Sequence, residues 1–209
     1  MNNRVPGPAY RIQTPHLVIR CWNPQDAQLL KNAIDRNLDH LRPWMLWAHN
    51  EPEQLQKKID RLRIFRGNFD LGKDFVYGIF NQDESRVLGG CGLHTRIGSG
   101  ALEIGYWIDK DFTNQGLATE ASAALVKVAF EIETVKRVEI HCDPRNHASA
   151  AVPRKLGFTH EATLKHRLPT HEGKLADLMI WSLFEADYPS SPAVSLKITA
   201  TDATGAPIL

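Results

Sequence analysis

The sequence predicts a single-domain α/β fold, with a mixed, mostly antiparallel central sheet of about seven strands flanked by helices and splayed at one point. Three observations predict it. Apolar residues alternate in short runs bounded by Gly, Pro, Asn and Asp between residues 17 and 183, which is strand spacing. The runs at 75–81 and 86–94 are joined by a tight turn at 83–85, so the early sheet is antiparallel. The runs at 101–108 and 137–142 are instead separated by a long helical stretch, the connection that parallel or splayed neighbours need.

In chain order, residues 17–21 read as the first strand, and Asn23-Pro24 starts a helix with proline at its first position. Leu30, Ile34, Leu38 and Leu41 form one apolar stripe, and Leu55, Ile59, Leu62 and Phe65 a second, so two helices follow. The segment LRPWMLWAHNEPEQ between them carries Trp44 and Trp47. Large aromatics in a connection either staple it down or form a recognition surface. After the 75–94 hairpin, Ile104, Tyr106 and Ile108 alternate with Glu103, Gly105 and Trp107 as a strand. Asn114, Gln115 and Gly116 then turn the chain into a helix with Leu117, Ala121, Leu125, Val128 and Ile132 on its buried face. Val138, Ile140 and Cys142 alternate in the next strand, which Asp143-Pro144 ends. Asn146 N-caps a helix that runs to Leu156 and closes at Gly157. Residues 158–168 and 175–183 complete the sheet as a hairpin. From Pro189 the composition shifts to Pro, Ser, Thr and Ala, so residues 1–188 read as the domain and 189–209 as a tail. Alternation of Val194, Leu196 and Ile198 there predicts an added edge strand or a contact with a neighbouring subunit.

Composition sets the bounds of function. With 209 residues, 43% hydrophobic and a net charge of +1, the chain builds one good core and carries no basic excess for nucleic acid. No apolar run approaches a membrane span, and MNNRVPGPAY has no apolar signal core, so no membrane partner is expected. Cys21, Cys91 and Cys142 fall in apolar strand runs without disulfide or metal spacing, which reads as buried thiols in a reduced, cytoplasmic protein. The nine histidines are scattered, and no metal site is expected. Association is expected to stop at monomer or homodimer.

The most informative stretch is EIGYWIDKDFTNQGLATE, residues 103–120, a strand that turns sharply into a helix. The first NH groups of such a helix lack intrahelical partners and sit at the positive end of its dipole, which suits a phosphate. No G-x-x-x-x-G-K-[ST] occurs. Gly89, Gly90 and Gly92 run into Leu93 and His94 with no helix behind them, which argues against nucleotide and dinucleotide loops. Residues 113–118, Thr-Asn-Gln-Gly-Leu-Ala, resemble the coenzyme A pyrophosphate loop of the GNAT superfamily of N-acetyltransferases: Arg or Gln, two residues, Gly, one residue, then Gly or Ala. Thr113 stands in place of the Arg or Gln, and Asn114, which tolerates a left-handed backbone, in place of a frequent first glycine. The resemblance implies acetyl-CoA as cosubstrate, contacted by Tyr106, Trp107 and Ile108 and by Gln115, Gly116, Leu117, Ala118 and Thr119.

A second block, RVEIHCDPRNHASAAVPRKLGF, resembles the superfamily's last strand, crossover helix and Gly-Phe ending. This implies that Asn146 contacts the pantetheine or phosphate region. Many members place a tyrosine four residues before that glycine as the acid for the departing thiolate; here the position holds Pro153. The branch that acetylates N-terminal amines of ribosomal proteins carries Asn-x-x-Ser instead, matched by Asn146 and Ser149, which makes Ser149 the candidate acid. Pro153 also withholds an NH from the Ser149 carbonyl, which predicts a kink beside the site.

An ammonium ion must lose a proton before it attacks a thioester, so a base is needed. Glu103 at the start of the central strand and Glu161 after Gly-Phe are the candidates, with Asp177 behind them. The implied chemistry is direct attack, with the oxyanion facing backbone NH groups of residues 105–108. Trp44 and Trp47 are expected to wall the acceptor site, since the ribosomal-protein branch has a similar Trp-rich segment. The expected acceptor is a protein N-terminal amine; a polyamine or aminoglycoside is the alternative, and a binding module that has lost turnover is a third reading.

Overall fold

A computed structural model describes residues 8–209. Nine strands form one sheet: β1 Arg11–Gln13, β2 Val18–Cys21, β3 Phe75–Phe80, β4 Val87–His94, β5 Ala101–Ile108, β6 Arg137–Cys142, β7 Thr159–Pro169, β8 Leu175–Phe184 and β9 Thr199–Thr201. Their order is β7-β8-β6-β5-β4-β3-β2-β1-β9. Every neighbouring pair is antiparallel except β5 and β6. The helices are α1 Ala27–Asp35, α2 Leu38–Leu41, α3 Leu55–Asp70, α4 Leu117–Lys127 and α5 His147–Lys155.

Alternation along the strands feeds two cores, one on each face. In β3, Phe75, Tyr77 and Ile79 join Ile104, Leu125 and Ala150 under α4 and α5. Val18, Phe80 and Val87 join Ile34 and Leu62 under α1 and α3. Such burial supplies the main stabilising term at roughly 25 cal/mol per Å² of apolar surface.

Three differences from the expectations have local causes. The sheet has two further strands, β1 and β9, each three residues long and too short for a sequence period to register. The tail's strand is 199–201, paired with β1, and not 194–198: Ser191 caps Ala193 and Pro192 leads a 3-10 turn, so Val194 to Ser195 cannot extend. The stripe from Leu30 to Leu41 is broken by Arg36 and Asn37 into α1 and α2.

The position of the site follows from β5 and β6. They pair only over Ala101, Leu102 and Glu103 against Arg137, Val138 and Glu139. Beyond that they diverge, which opens a V between their C-terminal halves.

Candidate active site

The V opens into a cleft of about 1610 Å³ that passes between the sheet and the segment before α3. It is lined from the helix side by Asn146 and Ser149 and from the opposite side by Glu103, His94, Trp44 and Trp47. An extended chain can thus thread through the sheet at the V, with different groups at each end.

On the helix side, Asn114 adopts φ +61 and Gly116 φ +83, so both left-handed positions of the turn are used as its residues allow. Gly116 begins α4 with no side-chain cap. The acidic residue of the first turn, Glu120, is turned away to Thr14 and His16, so the NH groups of Leu117, Ala118 and Thr119 are left for an anion. The divergent β5 and β6 edges offer unpaired strand NH and C=O groups to an amide-bearing chain. These features fit a pantetheine and a pyrophosphate. The side chains distribute differently: Tyr106 lines the cleft from one face of the sheet, Trp107 lines it from the other, and Ile108 is buried in the core.

Asn146 caps α5 by accepting from the Ser149 NH at 3.0 Å. The helix runs unbroken through Pro153. Proline leaves the Ser149 carbonyl without its helical donor, and the Tyr106 hydroxyl replaces it, donating to that carbonyl at 2.9 Å and lying 3.1 Å from Ser149 Oγ. Burial pushes the Tyr106 phenol well above its usual range, so it stays a donor. Proline at 153 and tyrosine at 106 therefore form one device that holds Ser149. In a double-mutant cycle read by urea unfolding, Tyr106→Phe is expected to cost about 1–3 kcal/mol in the native background. It should cost less by about 1 kcal/mol with Pro153→Ala, whose NH re-forms the helical bond. Additive costs would refute the shared carbonyl.

On the opposite side, three carboxylates sit along the sheet, each with a cationic or imidazole partner. Glu103 is buried, and Arg96 grips both its oxygens at 2.8 and 2.5 Å. Burial raises its pKa, but the Arg96 hydrogen bonds and charge outweigh that and hold the carboxyl below its usual range. Glu139 pairs with Arg137 at 2.6 Å and with His141 Nε2 at 2.5 Å, while His141 Nδ1 lies 3.7 Å from Glu103. Asp74 bonds His94 Nδ1 at 2.9 Å.

A family model described as an acetyltransferase (GNAT) domain matches residues 16–159. The chain belongs to the GNAT family. It is an N-acetyltransferase, similar over 175 residues to YdaF of Bacillus subtilis (strain 168), at 29% identity, covering 83% of this chain and 93% of that one. It is also similar to the ribosomal protein uS5-alanine N-acetyltransferase of Escherichia coli (strain K12), at 25% identity over 87% of this chain and 94% of that one. The fold matches Mycobacterium smegmatis RimJ solved with a CoA disulfide, at TM-score 0.77 and 23% identity, covering 90% of this chain and 92% of that one.

In this acetyltransferase the two glutamates are not brought together. Glu161 sits in a bulge of β7 between His160 and Ala162, where its Oε2 accepts from Ser182 Oγ at 2.5 Å, outside the cleft. Asp177 lies at the cleft but is bound by Lys165 at 2.8 Å. Trp47 packs edge-on against Trp107 at 6.4 Å, and Trp44 remains 37% exposed at the rim. Burial pushes the thiols of Cys21, Cys91 and Cys142 up, so none is a ready thiolate for a covalent route. Sequence reading missed His94, Asp74, Arg96 and His141. The one available signal was the glycine run ahead of His94, whose purpose is visible only across the strands.

Proposed function

We propose that this N-acetyltransferase uses acetyl-CoA to acetylate the α-amino group at the N-terminus of a ribosomal protein, in the cytoplasm. Acetyl-CoA supplies a thioester carbonyl and a thiol leaving group. The first-turn NH groups of Leu117, Ala118 and Thr119, with Gln115 and Gly116, hold its pyrophosphate, and Asn146 borders the pantetheine. Backbone NH groups of residues 105–108 face the developing oxyanion, and the Ser149 hydroxyl hands its proton to the departing thiolate.

One observation supports a peptide acceptor over a small polycation. Asp74 and Glu103 at the cleft are already engaged by His94 and Arg96, and Glu139 beside them by Arg137 and His141. A polyamine or aminoglycoside needs several carboxylates left over for it, and among the described acidic residues that line the cleft only Asp39 has no ion-pair partner. The mouth is instead apolar: Trp44 and Leu46 are 37% and 50% exposed, which suits the first side chains of a polypeptide. The name of the Escherichia coli relative, an alanine N-acetyltransferase of a ribosomal protein, supports the same acceptor class.

The test is a panel of peptides beginning with Ala or Ser, spermidine and an aminoglycoside, each with acetyl-CoA, read by mass spectrometry. Peptides are expected to lead in kcat/KM by about 100-fold. Faster acetylation of spermidine would overturn the acceptor assignment. A rise in melting temperature with acetyl-CoA, without turnover of any amine, would mark a binding module instead.

A further inference from the structure

The glycine run before His94 has a structural purpose. Gly92 of β4 and Gly105 of β5 face each other in register. A Cβ on Gly92 would lie 2.8 Å from His94 Nε2, and one on Gly105 would lie 3.2 Å from it. The two bare backbones form a seat on which the imidazole lies beside the β5 strand that borders the V. Asp74, just ahead of β3, fixes the ring from its other edge through Nδ1 at 2.9 Å. A carboxylate at Nδ1 is an acceptor, so Nδ1 carries the hydrogen and Nε2 keeps its lone pair. No hydrogen bond to Nε2 is found among the described residues.

The other titratable groups facing this ring are already committed. Glu103, which lies across the ladder from His94, has both oxygens on Arg96. His141 gives its Nε2 hydrogen to Glu139 at 2.5 Å, and its Nδ1 faces the Glu103 carboxylate at 3.7 Å and has no bare glycine seat beneath it among the described residues.

We propose that His94, oriented by Asp74, is the base that takes the proton from the acceptor ammonium. This rests on the acetyl-transfer reading above. The lone pair of Nε2 accepts a proton from R–NH3+, directly or through one water, and leaves R–NH2 and an imidazolium. The C–N bond forms as the C–S bond breaks, the Ser149 hydroxyl proton passes to the departing thiolate, and the second amine proton passes through water to the Ser149 oxygen and restores its hydroxyl. His94 then releases its proton to solvent, so the sum is R–NH3+ plus thioester giving amide, thiol and one H+. Asp74 is a positioning residue, and Glu103 becomes the anchor of Arg96.

His94→Gln is expected to lower kcat/KM about 100-fold near neutral pH, while the acetyl-CoA-induced rise in melting temperature stays that of the native enzyme. Added imidazole should restore part of the variant's rate. Asp74→Asn should lower kcat/KM less than His94→Gln does and shift the ring signals of His94 away from the Nδ1–H tautomer. A rate for His94→Gln within twofold of native across pH 6–9 would overturn the assignment. Independently of turnover, ring 15N shifts of His94 should report the Nδ1–H tautomer, and an Nε2–H tautomer would equally overturn it. A native enzyme that acetylates no amine removes the acetyl-transfer reading, which the tautomer measurement distinguishes from a failure of the His94 geometry.

Discussion

Lys58→Ala is expected to unfold the acetyltransferase about 10 °C earlier, the shift that ~3–5 kcal/mol gives in a domain of this size. Lys58 is fully buried in α3, where its ammonium binds Glu51 directly and Glu53 at 3.1 Å. Arg61 adds contacts to both carboxylates, at 3.3 and 2.8 Å. Removing the lysine leaves the buried Glu51 charge with one partly exposed arginine, and the cost of an uncompensated buried charge exceeds the worth of the pair itself. Lys58→Met paired with Glu51→Gln removes both charges together and should recover most of the loss.

The consequence reaches function because of where Glu51 sits. It ends the segment that carries Trp44 and Trp47, and its carbonyl accepts from Arg42 at 2.9 Å. The ion cluster therefore fastens the acceptor wall to α3. Thermal melts of Lys58→Ala should show the destabilisation, and kinetics at low temperature should show a raised KM for the peptide with little change in the acetyl-CoA-induced stabilisation. An unchanged peptide KM in the folded variant would separate the cluster from the acceptor wall.

How much of this was legible in the sequence depends on the range of the interaction. The strand, turn and helix around Asn114 and Gly116 could be read because local periodicity and backbone tolerance decide them, and both residues take the left-handed conformation. The Asn146 cap is likewise a three-residue affair. The base was not legible. Glu103 and Glu161 stood out as carboxylates at strand ends, but Arg96 occupies one and a bulge carries the other away from the cleft. The pairing of His94 with Asp74 joins two segments 20 residues apart, and the glycines that seat it act across a ladder whose register no single segment states. The same holds for Pro153, which in sequence reads as a helix defect. Only the 43-residue contact with Tyr106 turns it into a means of orienting Ser149.

That orientation makes Ser149→Ala the sharpest test of the chemistry. A serine hydroxyl is a weak acid, so its use as a proton donor requires that it be held in place beside the sulfur. Here Tyr106 spends its own hydrogen on the Ser149 carbonyl, and the Ser149 NH is spent on Asn146. The Ser149 hydroxyl is thereby held on the Tyr106 oxygen at 3.1 Å, beside the Cys142 thiol, and it turns from them to the cosubstrate sulfur when it gives up its proton. Its loss is expected to lower kcat about 100-fold, the lower range for a positioned acid. The acetyl-CoA-induced rise in melting temperature should stay within error, because the cosubstrate is held chiefly by backbone groups of the α4 turn and the β5 edge. The deficit should also depend on the leaving group. With the acetyl ester of seleno-coenzyme A, whose selenolate departs without a proton, native and Ser149→Ala enzymes should converge. An equal deficit with sulfur and selenium would assign Ser149 to holding α5 in place and not to proton transfer, while convergence would fix the acid at the hydroxyl that Tyr106 and Asn146 position.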